Sequence, residues 1–140
     1  MKQIDFNDGN MVFPMGTEGS AETFTGKAWV CILMQPTESM QYLIAEVKYA
    51  ASARTLWHTH PAEQILLCTD GEGIYQERGK KAQMLKKGDV VVIPPYVEHW
   101  HGATAESRFA HVAITNYKDG INVTWMNPVS EEEFGDANVK

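Results

Sequence analysis

No long stretch of this chain keeps a helical period. What recurs is a short run of strand formers, closed by glycine, proline or a small polar cluster. Residues 26–34 form one run. Residues 41–49 alternate, with Leu43, Ala45, Val47 and Tyr49 on one face. Further runs cover 55–60, 64–69, 74–77, 82–85, 90–93, 98–102 and 108–117. Asp70-Gly71-Glu72-Gly73 and Lys87-Gly88-Asp89 read as turns between them, and Pro94-Pro95 closes a strand. Short strands spaced by roughly 8 to 12 residues, with turn chemistry between, predict an all-β sandwich or barrel. The one helical signature is Ser130 with Glu133 three residues on, a capping box expected to start a short turn through Phe134.

At 140 residues the chain has the length of one domain, 1–140, with an irregular arm over 1–25 that carries one short strand. A net charge of -6 argues against nucleic acid or an anionic membrane as partner. No run approaches the roughly 20 apolar residues of a membrane span. Met1–Asp8 shows no apolar leader core. Cys31 and Cys68 lie far apart in apolar runs and read as buried reduced thiols, which fits a cytoplasmic protein.

All five histidines fall between His58 and His111. Residues two apart on a strand share a face, so His58 pairs with His60 and His99 with His101. On the last long strand, Phe109, His111, Ala113 and Thr115 share a face. Pointing these faces inward keeps Arg108 out of the core. Several imidazoles in an apolar interior need partners, and a divalent metal is one that suits neutral imidazole. Gln64 follows His60 at the fourth place. Glu63 is its rival as an oxygen ligand, with the opposite parity. His111 and, more weakly, His101 are candidate proton acceptors. Ala45, Val47, Phe109 and Ala113 are expected to shape an apolar pocket.

The composite His58-x-His60 with Gln64, then Gly88, Pro94 and His99, resembles the two signature motifs of the cupin superfamily over residues 43–114. The resemblance implies a double-stranded β-helix (jelly-roll) barrel with its core over about 40–117. It implies a metal bound by His58, His60, Gln64 and His99. Two positions depart from the usual pattern: Gln64 stands where Glu is common, and Tyr96 where Gly is common. Three imidazoles and an amide would leave the full charge on the cation, favouring an anionic ligand or a developing oxyanion.

The chain is more narrowly similar to bacterial cupin-type hydroxynitrile lyases and to small cupins associated with carboxymuconolactone decarboxylase-like domains. The residues that carry this are 53–61, Gln64, 98–103, 111–114 and Trp125-Met126. The resemblance implies manganese, with iron, nickel, cobalt or zinc as alternatives, and His111 as the base for cyanohydrin cleavage or synthesis. It places Ala45 and Val47 in the substrate pocket, with Thr115 where those lyases carry Gln. It implies a homo-oligomer, a dimer or dimer of dimers, acting on a small-molecule substrate. A carboxymuconolactone-type step, a dioxygenase, or a non-catalytic binding cupin that partners another enzyme are the other readings.

Overall fold

A computed structural model gives the fold for Phe6, Gly9 and residues 11–139. Most of Met1–Asp8, read above for a leader, lies outside the described residues. In chain order the elements are β1 (Thr17–Glu18), β2 (Phe24–Thr25), β3 (Ala28–Met34), β4 (Tyr42–Tyr49), β5 (Arg54–Thr55), β6 (His58–Thr59) and β7 (Gln64–Glu77). They continue with β8 (Gln83–Lys86), β9 (Val90–Ile93), β10 (His99–Ala103), β11 (Phe109–Asn116), β12 (Thr124–Trp125) and the helix α1 (Glu131–Ala137). The fold is all-β, an antiparallel sheet rolled on itself in the order β1-β3-β4-β11-β7-β10-β5-β2. β9 and β8 pair with β7, β6 pairs with β10, and β12 pairs with β6.

The roll depends on β7. Its first half pairs with β11 and β9, and its second half with β10 and β8. Residues 70–73, expected to turn, instead run through as one bent strand. The glycines still serve the backbone. Gly71 has φ 71°, and a Cβ there would strike the Arg108 carbonyl. Opposite, the β11 register shifts between Ala110 and His111. Such irregularities let a strand leave one sheet and enter another. Asp70 and Arg108 are paired across this corner at 2.7 Å.

Residues 55–60, read as one strand, are divided into β5 and β6. Between them Leu56 N donates to Thr23 O, and Trp57 N donates to Asn127 O, so the chain is held by loops instead of one ladder. Among its described residues the arm carries two short strands, not one.

Two apolar clusters hold the roll. The inner one includes Leu66, Ile93, Tyr49 and Phe109. The second packs Trp57, Ile74 and Trp100 under Phe134 and Ala137 of α1. Fully burying one such side chain stabilises by about 1.5–3 kcal/mol. The expected capping box is present: Glu133 N donates to Ser130 Oγ at 3.0 Å and Ser130 N to Glu133 Oε1 at 2.9 Å. The helix runs past Phe134 to Ala137. No helix among the described residues is long and apolar enough to cross a membrane.

Candidate metal centre and its cavity

β6 and β10 lie side by side with His58 opposite His99, and His60 follows β6. The ligand atoms of His58, His60 and His99 lie within 4.8 Å of one another, and all three rings are buried. Backbone carbonyls set their tautomers. Nδ1 of His58 meets the Leu56 carbonyl at 2.8 Å, and that of His99 meets the Val97 carbonyl at 2.9 Å. Nδ1 of His60 meets the Asn122 carbonyl. A carbonyl only accepts, so each Nδ1 carries the hydrogen and each Nε2 keeps its lone pair.

Nε2 of His60 and of His99 are buried with no partner among the described residues. Charging these rings is opposed. Burial holds His58 well below the ordinary histidine value, and His99 and His60 beside it add like-charge repulsion. Burial lowers His60 too, and takes His99 down to about 4. Neutral imidazoles turning bare lone pairs toward one centre fit a divalent metal ion and little else.

Gln64 begins β7 and is buried, while Glu63 is exposed. The Gln64 amide donates from Nε2 to Thr115 Oγ1 at 2.8 Å, and its Oε1 is buried without a hydrogen-bond partner among the described residues.

Beside the histidines is a cavity of about 240 Å³. Its walls include the expected Ala45, Val47, Ala113 and Thr115, along with His58, His60, Gln64, His101 and His111. Strand parity places Phe109 on the wall. It is fully buried behind Tyr49 instead, stacked at 5.8 Å between ring centroids. Parity marks the inward face but not which inward side chain a larger neighbour covers. Trp125 also lines the cavity, with its ring 4.7 Å from that of His58. Nothing in its local pattern told this, because β12 is two residues long and its pairing with β6 is remote in sequence.

Tyr49 was also overlooked, although its parity with Ala45 and Val47 announced it. Its hydroxyl lies 2.8 Å from His111 Nε2 and 3.0 Å from His101 Nδ1. Burial pushes His111 down to about 3, against a small opposing pull from the Val112 backbone, and raises Tyr49 well above its ordinary value. For His101, burial and then the neighbouring histidines act in the same downward direction.

A rolled antiparallel sheet with a buried three-histidine cluster beside a largely apolar cavity defines a small β-barrel whose histidines fit a divalent metal ion. Residues 45–115 match the Cupin domain family, and the chain belongs to it. It is 38% identical over 117 residues to an (R)-mandelonitrile lyase of Granulicella tundricola, covering 84% of this chain and 89% of that one. A cupin-like protein of Thermotoga maritima has a crystal structure that superposes with a TM-score of 0.87 at 43% identity, covering 91% and 96% of the two chains. A predicted oxalate decarboxylase of the same organism shares the fold, with a TM-score of 0.62 at 22% identity over 77% of this chain and all of that one.

Proposed function

We propose that this cupin is a metal-dependent lyase that cleaves or forms cyanohydrins, with His58, His60, Gln64 and His99 as metal ligands and His111 as the base. The observation that carries the reading is the cavity's chemistry. Among the described residues, no Lys or Arg lines it, and Ala45, Val47, Ala113, Phe24, Val30 and Trp125 supply apolar wall. Such a chamber suits an uncharged organic substrate whose negative charge appears only during reaction. It is poorly suited to the carboxylates of a muconolactone-type step, because no fixed cation would face them away from the metal. Likeness to the mandelonitrile lyase of Granulicella tundricola points the same way.

A bound divalent ion would supply Lewis-acid polarisation of a substrate oxygen; manganese is the ion we favour. Small side chains at 45 and 113 leave room for the organic group, and Trp125 and Val47 exclude water from it. His111, kept neutral by burial, accepts the hydroxyl proton at Nδ1, since its Nε2 is engaged by Tyr49. Thr115, where the lyases carry Gln, holds the Gln64 amide. The protein is read as cytoplasmic, with both cysteines free, and as a homo-oligomer that covers outward residues such as Val90 and Val92, each 60% exposed.

Elemental analysis of freshly purified protein should find one divalent ion per chain. His111→Ala should keep that ion and lose about 100-fold or more of mandelonitrile cleavage. Metal-loaded wild-type protein without cyanohydrin cleavage would end the lyase reading.

A further inference from the structure

Tyr49 stands between two histidines, and its hydroxyl has one hydrogen to give. It is fully buried, edge-on to Phe24 at 5.9 Å and stacked on Phe109 at 5.8 Å, so the ring has no room to swing. Its oxygen contacts Nε2 of His111 and Nδ1 of His101 at hydrogen-bonding distances. The outer nitrogens of the pair, His111 Nδ1 and His101 Nε2, are buried with no partner among the described residues. All three side chains line the same cavity.

Hydrogen counting restricts the states. If Tyr49 donates to His111 Nε2, then His101 Nδ1 must donate to Tyr49; both rings are then Nδ1–H. If Tyr49 donates to His101 Nδ1, His111 Nε2 donates to Tyr49, and both rings are Nε2–H. In the first state the outer proton sits on His111 and the outer lone pair on His101. In the second these are reversed.

We propose that Tyr49 is a positioning residue that bridges His101 and His111 into one neutral proton relay, with one accepting and one donating end. The chemistry rests on the lyase reading, whereas the bridge rests on the geometry alone. Starting with both rings Nε2–H, a substrate hydroxyl gives its proton to His111 Nδ1. His111 Nε2–H passes its proton to the Tyr49 oxygen, Tyr49 passes its own to His101 Nδ1, and His101 Nε2–H releases one to the departing cyanide. One O–H and the C–CN bond break, a carbonyl and H–CN form, and the relay ends neutral with both rings Nδ1–H. Exchange of one proton at each outer nitrogen through water restores the first arrangement. No imidazolium has to exist inside an apolar cavity, where charging is strongly opposed. The relay also gives His101 a task that a lone base at 111 leaves unfilled: protonating the leaving group.

The test uses full-length, zinc-loaded protein, which is diamagnetic, and reads ring-nitrogen tautomers by long-range ¹H–¹⁵N NMR. In the wild type, His101 and His111 should share one tautomer, or exchange together. Tyr49→Phe, which keeps the aromatic packing, should retain stoichiometric metal and break the match. In cyanohydrin cleavage by the metal-loaded enzyme, it should lower kcat by about 100-fold with KM changed less than about threefold. Unlike tautomers in the wild type overturn the bridge. So does a match that persists in Tyr49→Phe, and an unchanged kcat in that variant overturns the relay. Matched tautomers that Tyr49→Phe uncouples, in a protein that turns over no cyanohydrin, would sink the lyase reading and leave the bridge standing.

Discussion

The two faces of β4 solve the same problem in opposite ways. Both faces are buried and both carry polar groups. On the outer face Glu46 and Lys48, 2% and 1% exposed, pair with each other under the N-terminal arm. Lys48 Nζ also donates to the carbonyls of Pro14, at 2.9 Å, and Phe13. Every contact there is made within the chain. On the inner face Tyr49 joins histidines whose outward nitrogens have no partner among the described residues. Buried side-chain nitrogens and oxygens without a partner fall, among the described residues, on Arg54, Thr69, His60, Gln64, His99, His101 and His111. The last five ring one cavity and its three-histidine cluster. Unpartnered buried polar atoms cost roughly 1–3 kcal/mol each. Their concentration in one place is what a ligand-ready centre looks like; the satisfied pair on the other face is what a structural polar contact looks like.

The comparison breaks most visibly on the outer face. Lys48→Met should destabilise the protein by about 3–5 kcal/mol, because it strands the Glu46 carboxylate in a buried site. The double replacement Glu46→Leu with Lys48→Met should recover most of that loss, since neither charge is then buried. Denaturant unfolding of the two variants measures both. A Lys48→Met protein as stable as the wild type would mean that the arm does not seal this face.

Acid should act on the inner face. Histidines whose native values are lowered bind fewer protons folded than unfolded, so stability falls as pH drops below about 6.5. The decline continues until the native values are reached, about 4 for His99 and about 3 for His111. At pH 5 each of these two should cost the metal-free protein about 2 kcal/mol. Chemical denaturation between pH 4 and 8 reads the slope. His111→Phe should remove its share of that slope, whereas a slope unchanged in this variant would show that His111 is already charged or solvent-accessible.

How much of this was legible from residue order differs between the two faces. The inner one was visible in outline. Period-two parity brought His58, His60, His99 and His111 to one side, and the structure buries all four there. Parity was blind to depth. It could not tell that Phe109 is covered by Tyr49, or that Asp70-Gly71-Glu72-Gly73 bends a continuous strand instead of reversing it. Those outcomes depend on which remote strands flank β7. The outer face was nearly illegible. Parity puts Glu46 and Lys48 opposite Ala45 and Val47, but nothing local shows an arm more than thirty residues away lying over them. Tyr96 is intermediate. Its place in the motif where glycine is usual marked it as a departure, and the structure gives it φ 63°, the left-handed geometry that glycine takes most readily. The Tyr96 amide donates to the His60 carbonyl at 2.7 Å, so the loop before His99 keeps its form with a bulkier residue.

The smallest of the expected effects tests the contact that orients Gln64. Gln64 Nε2 donates to Thr115 Oγ1, which leaves the amide oxygen toward the histidines. Thr115→Val keeps the shape and removes the acceptor, so the amide loses its reason to keep that orientation. Partners behind a metal ligand typically contribute 10- to 100-fold in affinity. For an amide, whose oxygen binds far better than its nitrogen, a loss of about tenfold in metal affinity is expected, about 1.4 kcal/mol. Competition against a chelator measures it without reference to catalysis. Thr115→Ser should restore the affinity, because its hydroxyl can accept the same hydrogen bond. If Val and Ser behave alike, the hydroxyl does not orient Gln64, and this contact belongs with the packing of the barrel instead of with its metal centre.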